Sequence, residues 1–224
     1  KGLIYPATAE YAYCTNDQRF LPDRYVDGTC PHCNFERARG DQCDNCGRTL
    51  DPQDLLNWRC HICSKPPEMR ESEHFFLRLS ALQGKLHDWA KAAGKGVWRP
   101  NVYGFTMNWL TEGLRDRAIT RDVEWGVPVP LPGYETKRIY VWFEACTGYL
   151  SAALEWASTR GEGDEWLPFW KDTTTKSYYF IGKDNIPFHT IIWPAMLMAY
   201  SDSGAALGAG GLTLPTNIPA NEFL

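Results

Sequence analysis

Apolar residues Leu79, Leu82, Leu86, Trp89, Ala90 and Ala93 recur every three or four positions, which predicts an amphipathic helix closed by Gly94 and Gly96. Ser80 and Gln83 have the spacing of a capping box at its start, and His87 falls on its solvated face. Val102, Phe105, Trp109, Leu110 and Leu114 predict a second helix. Before these, short aromatic segments at 3–5, 11–14 and 20–21 read as strands. After them the pattern changes. Arg138–Phe143 is a continuous apolar run, as in a strand buried on both faces, and Ser177–Ile181 is another. Helices are predicted over Gly148–Arg160 and again after Asn185, with Asn185 as cap, Pro187 in the first turn and Pro194 as a kink. Glu165–Trp170 adds a short helical turn. After a Gly/Ala loop at 204–211, Leu212–Leu214 forms a last short strand. Strand, helix, strand, helix, strand is the signature of an α/β fold with a parallel sheet. Between the two patterns, Gly126, Pro128, Pro130, Pro132 and Gly133 mark a linker, dividing the chain into residues 1–134 and 135–224.

Composition narrows the class. The chain has 224 residues, 44% hydrophobic and 22% charged, as in ordinary globular proteins. It contains no apolar run of membrane-spanning length and no signal-peptide pattern. A net charge of −4 argues against a general nucleic-acid coat. The expected location is the cytoplasm.

The cysteines alter the picture most. Seven of the eight precede residue 64, and six of those form Cys-x2-Cys pairs. Cys30, Cys33, Cys43 and Cys46 have the spacing of a tetrahedral four-sulfur Zn²⁺ site, closed to water and therefore structural. Gly47 suits the turn that follows. The large apolar residues between Gly28 and His74 are too few for a core, whereas a structural zinc supplies about 10–16 kcal/mol of folding free energy. Disulfides or redox chemistry are the rival reading. Cys14, Cys60 and Cys63 can hold a second zinc with Asp17 as the oxygen ligand; His61 or water are rival fourth ligands, and free buried thiols the alternative.

In the expected sheet, a ligand sits beyond the carboxyl ends of the strands. Trp142, Tyr149 and His189 fall near those ends and suit an apolar small-molecule pocket, with Asp184 placed to accept hydrogen bonds from a ribose. His189 alone is as compatible with a satisfied core histidine.

The longer motifs carry a resemblance. Phe20–Arg24, Gly28–Cys33 with Gly40–Gly47, and Ser72–Phe76 resemble the connective-peptide domain of the methionyl-tRNA synthetase family. Tyr140–Ala145 with Gly148-Tyr149, and Phe180–His189, resemble the second half of that family's class I catalytic domain. The likeness runs from about Lys1 to Leu224. It implies part of a Rossmann-like catalytic domain with an inserted zinc-knuckle domain. By position it implies a methionine pocket at Trp142, Ala145, Tyr149 and His189, with Phe188 and Trp193 nearby, and ribose contacts at Gly182 and Asp184. Cys146 stands where many relatives have proline, and Trp109 resembles an aromatic that shifts when the amino acid binds.

The activity implied is ATP-dependent, Mg²⁺-assisted activation of methionine and its transfer to tRNA(Met). A thioether is a weak acceptor, so shape, aromatic contact and the donors Tyr149 and His189 would recognise it. The family's HIGH-like and KMSKS-like motifs are absent from these residues. The expectation is therefore an internal fragment with no catalytic residue of its own, inactive alone and partnered by the missing halves of the same enzyme. Other class I synthetases for aliphatic amino acids lack this zinc segment joined to these motifs. A stand-alone zinc ribbon binding tRNA or protein would explain Cys14–Cys63 but leave Phe180–His189 without a purpose.

Overall fold

The computed structural model describes residues 2–222 except 42, 47, 49, 162 and 204–210. Gly47 and most of the Gly/Ala loop therefore lie outside the described residues. The chain divides into two compact units. A helical unit comprises Lys1–Tyr5, Phe76–Arg117 and Val141–Leu224; a knuckle unit comprises Pro6–Phe75 and Ala118–Tyr140. A single boundary at residue 134 does not describe this division. The Pro/Gly segment read as a linker is folded against residues 137–139, with Ile139 N–H donating to Val127 O at 2.7 Å and a bridge between Pro128 and Arg138.

Strands β1 (Ile4–Cys14) and β2 (Arg19–Phe20) form an antiparallel hairpin. Side chains alternate along β1 until Ala12 and Cys14 turn into the core. β3 (Val26–Thr29) is the centre of a second sheet between β4 (Ala38–Arg39) and β5 (Leu56–Cys60). Gly28 on β3 is required there, because a Cβ would lie 2.8 Å from Leu55 Cβ and 2.9 Å from the Leu56 carbonyl. β6 (Glu68–Leu77) lies between β1 and β7 (Arg117–Ala118).

The charged stretch of β6 buries a polar network. His74, 1% exposed, sits 3.1 Å from Asp122 through Nε2 and 2.9 Å from Thr120 Oγ1 through Nδ1. Lys137 and Ser72 both donate to Asp122, at 2.7 and 2.6 Å. Burial opposes the Asp122 charge, but these hydrogen bonds outweigh it and hold the carboxyl below its ordinary range. Burial lowers His74, with Asp122 pulling the other way.

The apolar run at 138–143 is not one buried strand. β8 (Thr120–Arg121) pairs antiparallel with β9 (Arg138–Ile139), and the chain then enters a helical turn, α3 (Val141–Glu144), the third helix of the chain. Val141 is 50% and Trp142 37% exposed, so neither is sandwiched between layers.

In the helical unit, α1 (Gln83–Gly94) and α2 (Pro100–Glu112) precede α3. The capping box does not form: the Ser80 hydroxyl donates to Asp116 at 2.7 Å, and the Gln83 amide bonds Leu110 O and Leu114 N–H. Then come α4 (Thr147–Arg160), α5 (Leu167–Lys171) and α6 (Trp193–Ser203). Their core contains Cys146, Ala157, Trp166, Trp170, Trp193, Leu197 and Leu212. A π-helical turn, Phe188–Ile192, runs directly into α6, so Pro194 lies within a continuous helical stretch, and its missing N–H falls just after the departure from α-helical bonding. Asn185 caps neither turn with its side chain.

β10 (Ile181–Gly182) pairs in parallel with β11 (Ala220–Asn221), extended by a bridge from Tyr178 to Asn217. Leu212–Leu214 is not the pairing strand. Leu212 is spent on the tryptophan core, and Thr213 N–H bonds Trp170 O at 2.7 Å. Among the described residues, no helix is long and apolar enough to cross a membrane.

Candidate functional site

Two clusters of metal-ligating side chains lie in the knuckle unit. Cys30, Cys33, Cys43 and Cys46 form one, and Cys14, Asp17, Cys60 and Cys63 the other; in each, the ligand atoms lie within 4.8 Å of one another. In the first cluster Cys33 and Cys43 Sγ are 3.6 Å apart, and Cys30 and Cys46 Sγ 3.9 Å. In the second, Cys14 Sγ lies 3.4 Å from Cys63 Sγ, and Asp17 Oδ2 is 3.2 Å from both Cys14 and Cys60 Sγ. His61 is turned away, its Nδ1 2.8 Å from Asp27.

The ligand turns share one backbone template. Backbone N–H groups point at the first sulfur of three turns: Asp17, three residues on, to Cys14, and His32 and Ile62, two residues on, to Cys30 and Cys60, at 3.3–3.4 Å. The fourth residue after that cysteine has positive φ in three turns: Gln18 at 52°, Asn34 at 59° and Ser64 at 60°. Cys14-Thr15-Asn16-Asp17 is thus a knuckle with Asp in the second ligand position.

All eight cysteines are unbridged. Four of the ten buried residues in this core are ligand cysteines: Cys14, Cys30, Cys43 and Cys60. Burial pushes Cys43 up to about 11 and Cys60 up to about 12. Hydrogen bonding, first from the Asn45 amide, lowers Cys33 to about 6, and bonds from Cys14 and Cys60 lower Asp17 to about 2. Buried thiols resist ionisation until a cation offsets the charge. Both donor sets, four sulfurs and three sulfurs with one carboxylate, therefore fit a tetrahedral divalent metal.

A second constellation lies in the helical unit. Tyr149 on α4 and His189 on the π-helical turn meet at 2.8 Å between the hydroxyl and Nε2. His189 Nδ1 is 3.0 Å from Asn185 O, which only accepts, so Nδ1 carries the proton and Nε2 accepts from Tyr149. Burial lowers the His189 pKa and keeps the ring neutral. His189 is 5% exposed and Tyr149 43%, so a buried base anchors the hydroxyl of a half-exposed tyrosine.

Trp142 stacks on Phe188 at 5.3 Å, and Trp193 lies 6.3 Å from Tyr149. Ala145 is exposed at the end of α3. Tyr179, passed over in the sequence, completes the cluster: it accepts from Trp193 Nε1 at 3.2 Å and packs 5.1 Å from Tyr149 and 5.6 Å from His189. Cys146 is buried, its thiol pushed up to about 11. Trp109 lies on α2 with the Arg117 guanidinium 5.7 Å over its ring.

Gly182 and Asp184 lie at the carboxyl ends of the parallel pair. A Cβ at Gly182 would approach Asp184 Oδ1 to 2.7 Å. Arg99 donates to Ala220 O and Asn221 Oδ1, and Lys183 to Glu222, at 2.6–3.0 Å. No periodicity or motif flagged Arg99 or Glu222.

The family model described as tRNA synthetases class I (M) matches residues 1–224. The chain belongs to this synthetase family. Methionine–tRNA ligase of Dehalococcoides mccartyi is 61% identical over all 224 residues, which span 38% of that relative; the Thermoplasma acidophilum ligase is 52% identical, with 39% of its length covered. The chain thus spans under half the length of these class I relatives. The crystal structure of Mycobacterium tuberculosis methionyl-tRNA synthetase bound by methionyl-adenylate aligns at TM-score 0.60 and 26% identity, covering 100% of this chain and 36% of that one. The α/β class I synthetase fold follows, with its parallel strand pair at β10–β11.

Proposed function

We propose that the helical unit holds the methionine pocket of a methionyl-tRNA synthetase, and that both clusters of the knuckle unit hold structural Zn²⁺. The whole protein then activates methionine with ATP and transfers it to tRNA(Met). The observation that carries the reading is half-exposed Tyr149, its hydroxyl anchored by buried His189 inside an aromatic cluster with Tyr179 and Trp193.

Trp142, Phe188 and Trp193 supply the apolar walls, and Ala145 leaves room. The donors are not two independent groups. His189 is committed to Asn185 O, so one rotatable hydroxyl on Tyr149 either donates to His189 or turns to the sulfur. Such a pocket selects by shape and separates near-isosteres by about 1–3 kcal/mol per methylene.

Asp184 accepts from the adenosine ribose, and the bare Gly182 leaves its carboxylate in place. Positioning and cations, including Mg²⁺, lower the barrier to phosphoryl attack. No catalytic residue is assigned within these 224 residues, and methionine-dependent ATP–pyrophosphate exchange by them alone is expected to be silent.

Thermal melting with ligand tests the pocket. Methionine should raise the melting temperature, leucine should not, and Tyr149→Phe should weaken the methionine effect. Equal shifts with both amino acids, or none with either, would rule the pocket out.

A further inference from the structure

The two metal clusters differ in one donor, and the surroundings of that donor are built. Asp17 presents Oδ2 to Cys14 and Cys60 Sγ at 3.2 Å. Its other oxygen, Oδ1, accepts from the Asn16 amide at 3.1 Å, and Asn16 Oδ1 in turn accepts from Lys65 Nζ at 2.6 Å. This chain fixes which carboxylate oxygen faces the sulfurs. It also fixes the Asn16 amide, because an ammonium can only donate. The partners come from both knuckles of the cluster: Asn16 lies between Cys14 and Asp17, and Lys65 follows Cys63 by two residues. In the four-sulfur cluster the corresponding side-chain contact among the described residues is a long bond, Asn45 to Cys33 Sγ at 3.6 Å.

A carboxylate oxygen is a harder donor than a thiolate and holds a thiophilic ion less tightly. Asp17 and Cys63 are half-buried, whereas Cys14 and Cys60 are buried, so of the two ligands nearer solvent Asp17 is the harder donor. Ligand release therefore starts at Asp17. Its rate depends on how firmly the carboxylate is aimed, since outer partners of a metal ligand typically alter affinity by about 10–100-fold.

Resting on the reading of both clusters as zinc sites, we propose that the Cys14–Asp17–Cys60–Cys63 cluster is the exchangeable metal position of this protein, with Asn16 and Lys65 as positioning residues for Asp17. The four-sulfur cluster keeps its ion. Both ions are structural, but one of them can be surrendered to a competing chelator or exchanged for a softer ion.

The test is zinc release from the zinc-loaded protein into excess chelating dye, followed by absorbance. Two zinc ions should leave in two phases. Asn16→Ala and Lys65→Met should accelerate the fast phase about 10–100-fold and leave the slow phase unmoved. Asp17→Cys should slow the fast phase to the rate of the other. Should that variant misfold, the Lys65 substitution, at an exposed position, carries the test alone. Two ions leaving at one common rate, or a fast phase indifferent to both Asn16 and Lys65, would overturn the proposal while the two-site reading stands. A single zinc per chain by metal analysis would overturn the two-site reading itself.

Discussion

The two units are held together by different means. In the knuckle unit, four of the ten buried residues of the core cluster are cysteines that could hold a metal, and the rest are small or aliphatic. In the helical unit, the core cluster around α4, α5 and α6 has three tryptophans among its seven buried residues, with aromatic neighbours around them. Tryptophan burial removes large apolar area from water and stabilises without help. Buried thiols at 3.4–3.9 Å from one another contribute little until a cation makes them thiolates. One core is filled by its own aromatic side chains; the other, on the two-zinc proposal, is completed by the ions that its cysteines hold.

Metal removal is the most drastic way to break that comparison. Chelation should forfeit about 10–16 kcal/mol per structural site. Hydrogen exchange should then show lost protection across β3–β5, while α4 and α6 stay protected; equal loss in both units would erase the distinction. Next in size, Trp193→Ala should cost the helical unit about 3–5 kcal/mol by denaturant unfolding, with zinc content per chain unchanged. Gly28→Ala should cost the knuckle unit about 1–3 kcal/mol, because the Cβ would press on Leu55 and the Leu56 carbonyl.

Acidity sharpens the comparison further. Burial depresses both His74 and His189, so the unfolded chain binds a proton near its ordinary value of about 6.5 that the folded chain refuses. The associated stability is complete above that pH and declines as pH falls below it. Melting temperatures between pH 7 and 5 should fall less steeply in His74→Gln for the knuckle unit and in His189→Gln for the helical unit. The smallest effect is expected at Ser64, whose φ of 60° is strained for a side chain; Ser64→Gly should stabilise by up to about 1 kcal/mol, read from the metal-loaded melting curve.

The sequence revealed most where chemistry was local. Cys-x2-Cys spacing marks a knuckle within four residues, and Asp17 is legible because it stands three residues after Cys14, as Cys63 does after Cys60. The π-helical segment carrying Phe188 and His189 was legible through its motif, but not its helix type. Hydrophobicity misled at 138–143, because an apolar run records burial and not which partner provides it. Val141 and Trp142 remain half-open beside Phe188 rather than inside a sheet. The His74–Asp122–Lys137 network had no sequence signature, since its members lie far apart and ion pairs have no period. Tyr179 was hidden within a stretch read only as a strand.

The interleaving of the units has a consequence for synthesis on the ribosome. The last ligand, Cys63, emerges well before Ala118–Tyr140, which complete the knuckle unit. Zinc is thus capturable by a nascent chain whose β-sheet still lacks β7. The helical unit waits longer: its opening residues, tied through Leu3 O to Arg78 N–H, must be held until Val141–Leu224 are made. On the two-zinc proposal, metal capture is an early event of translation, and a cell short of zinc would present the growing chain with its difficulty before the tryptophan core exists.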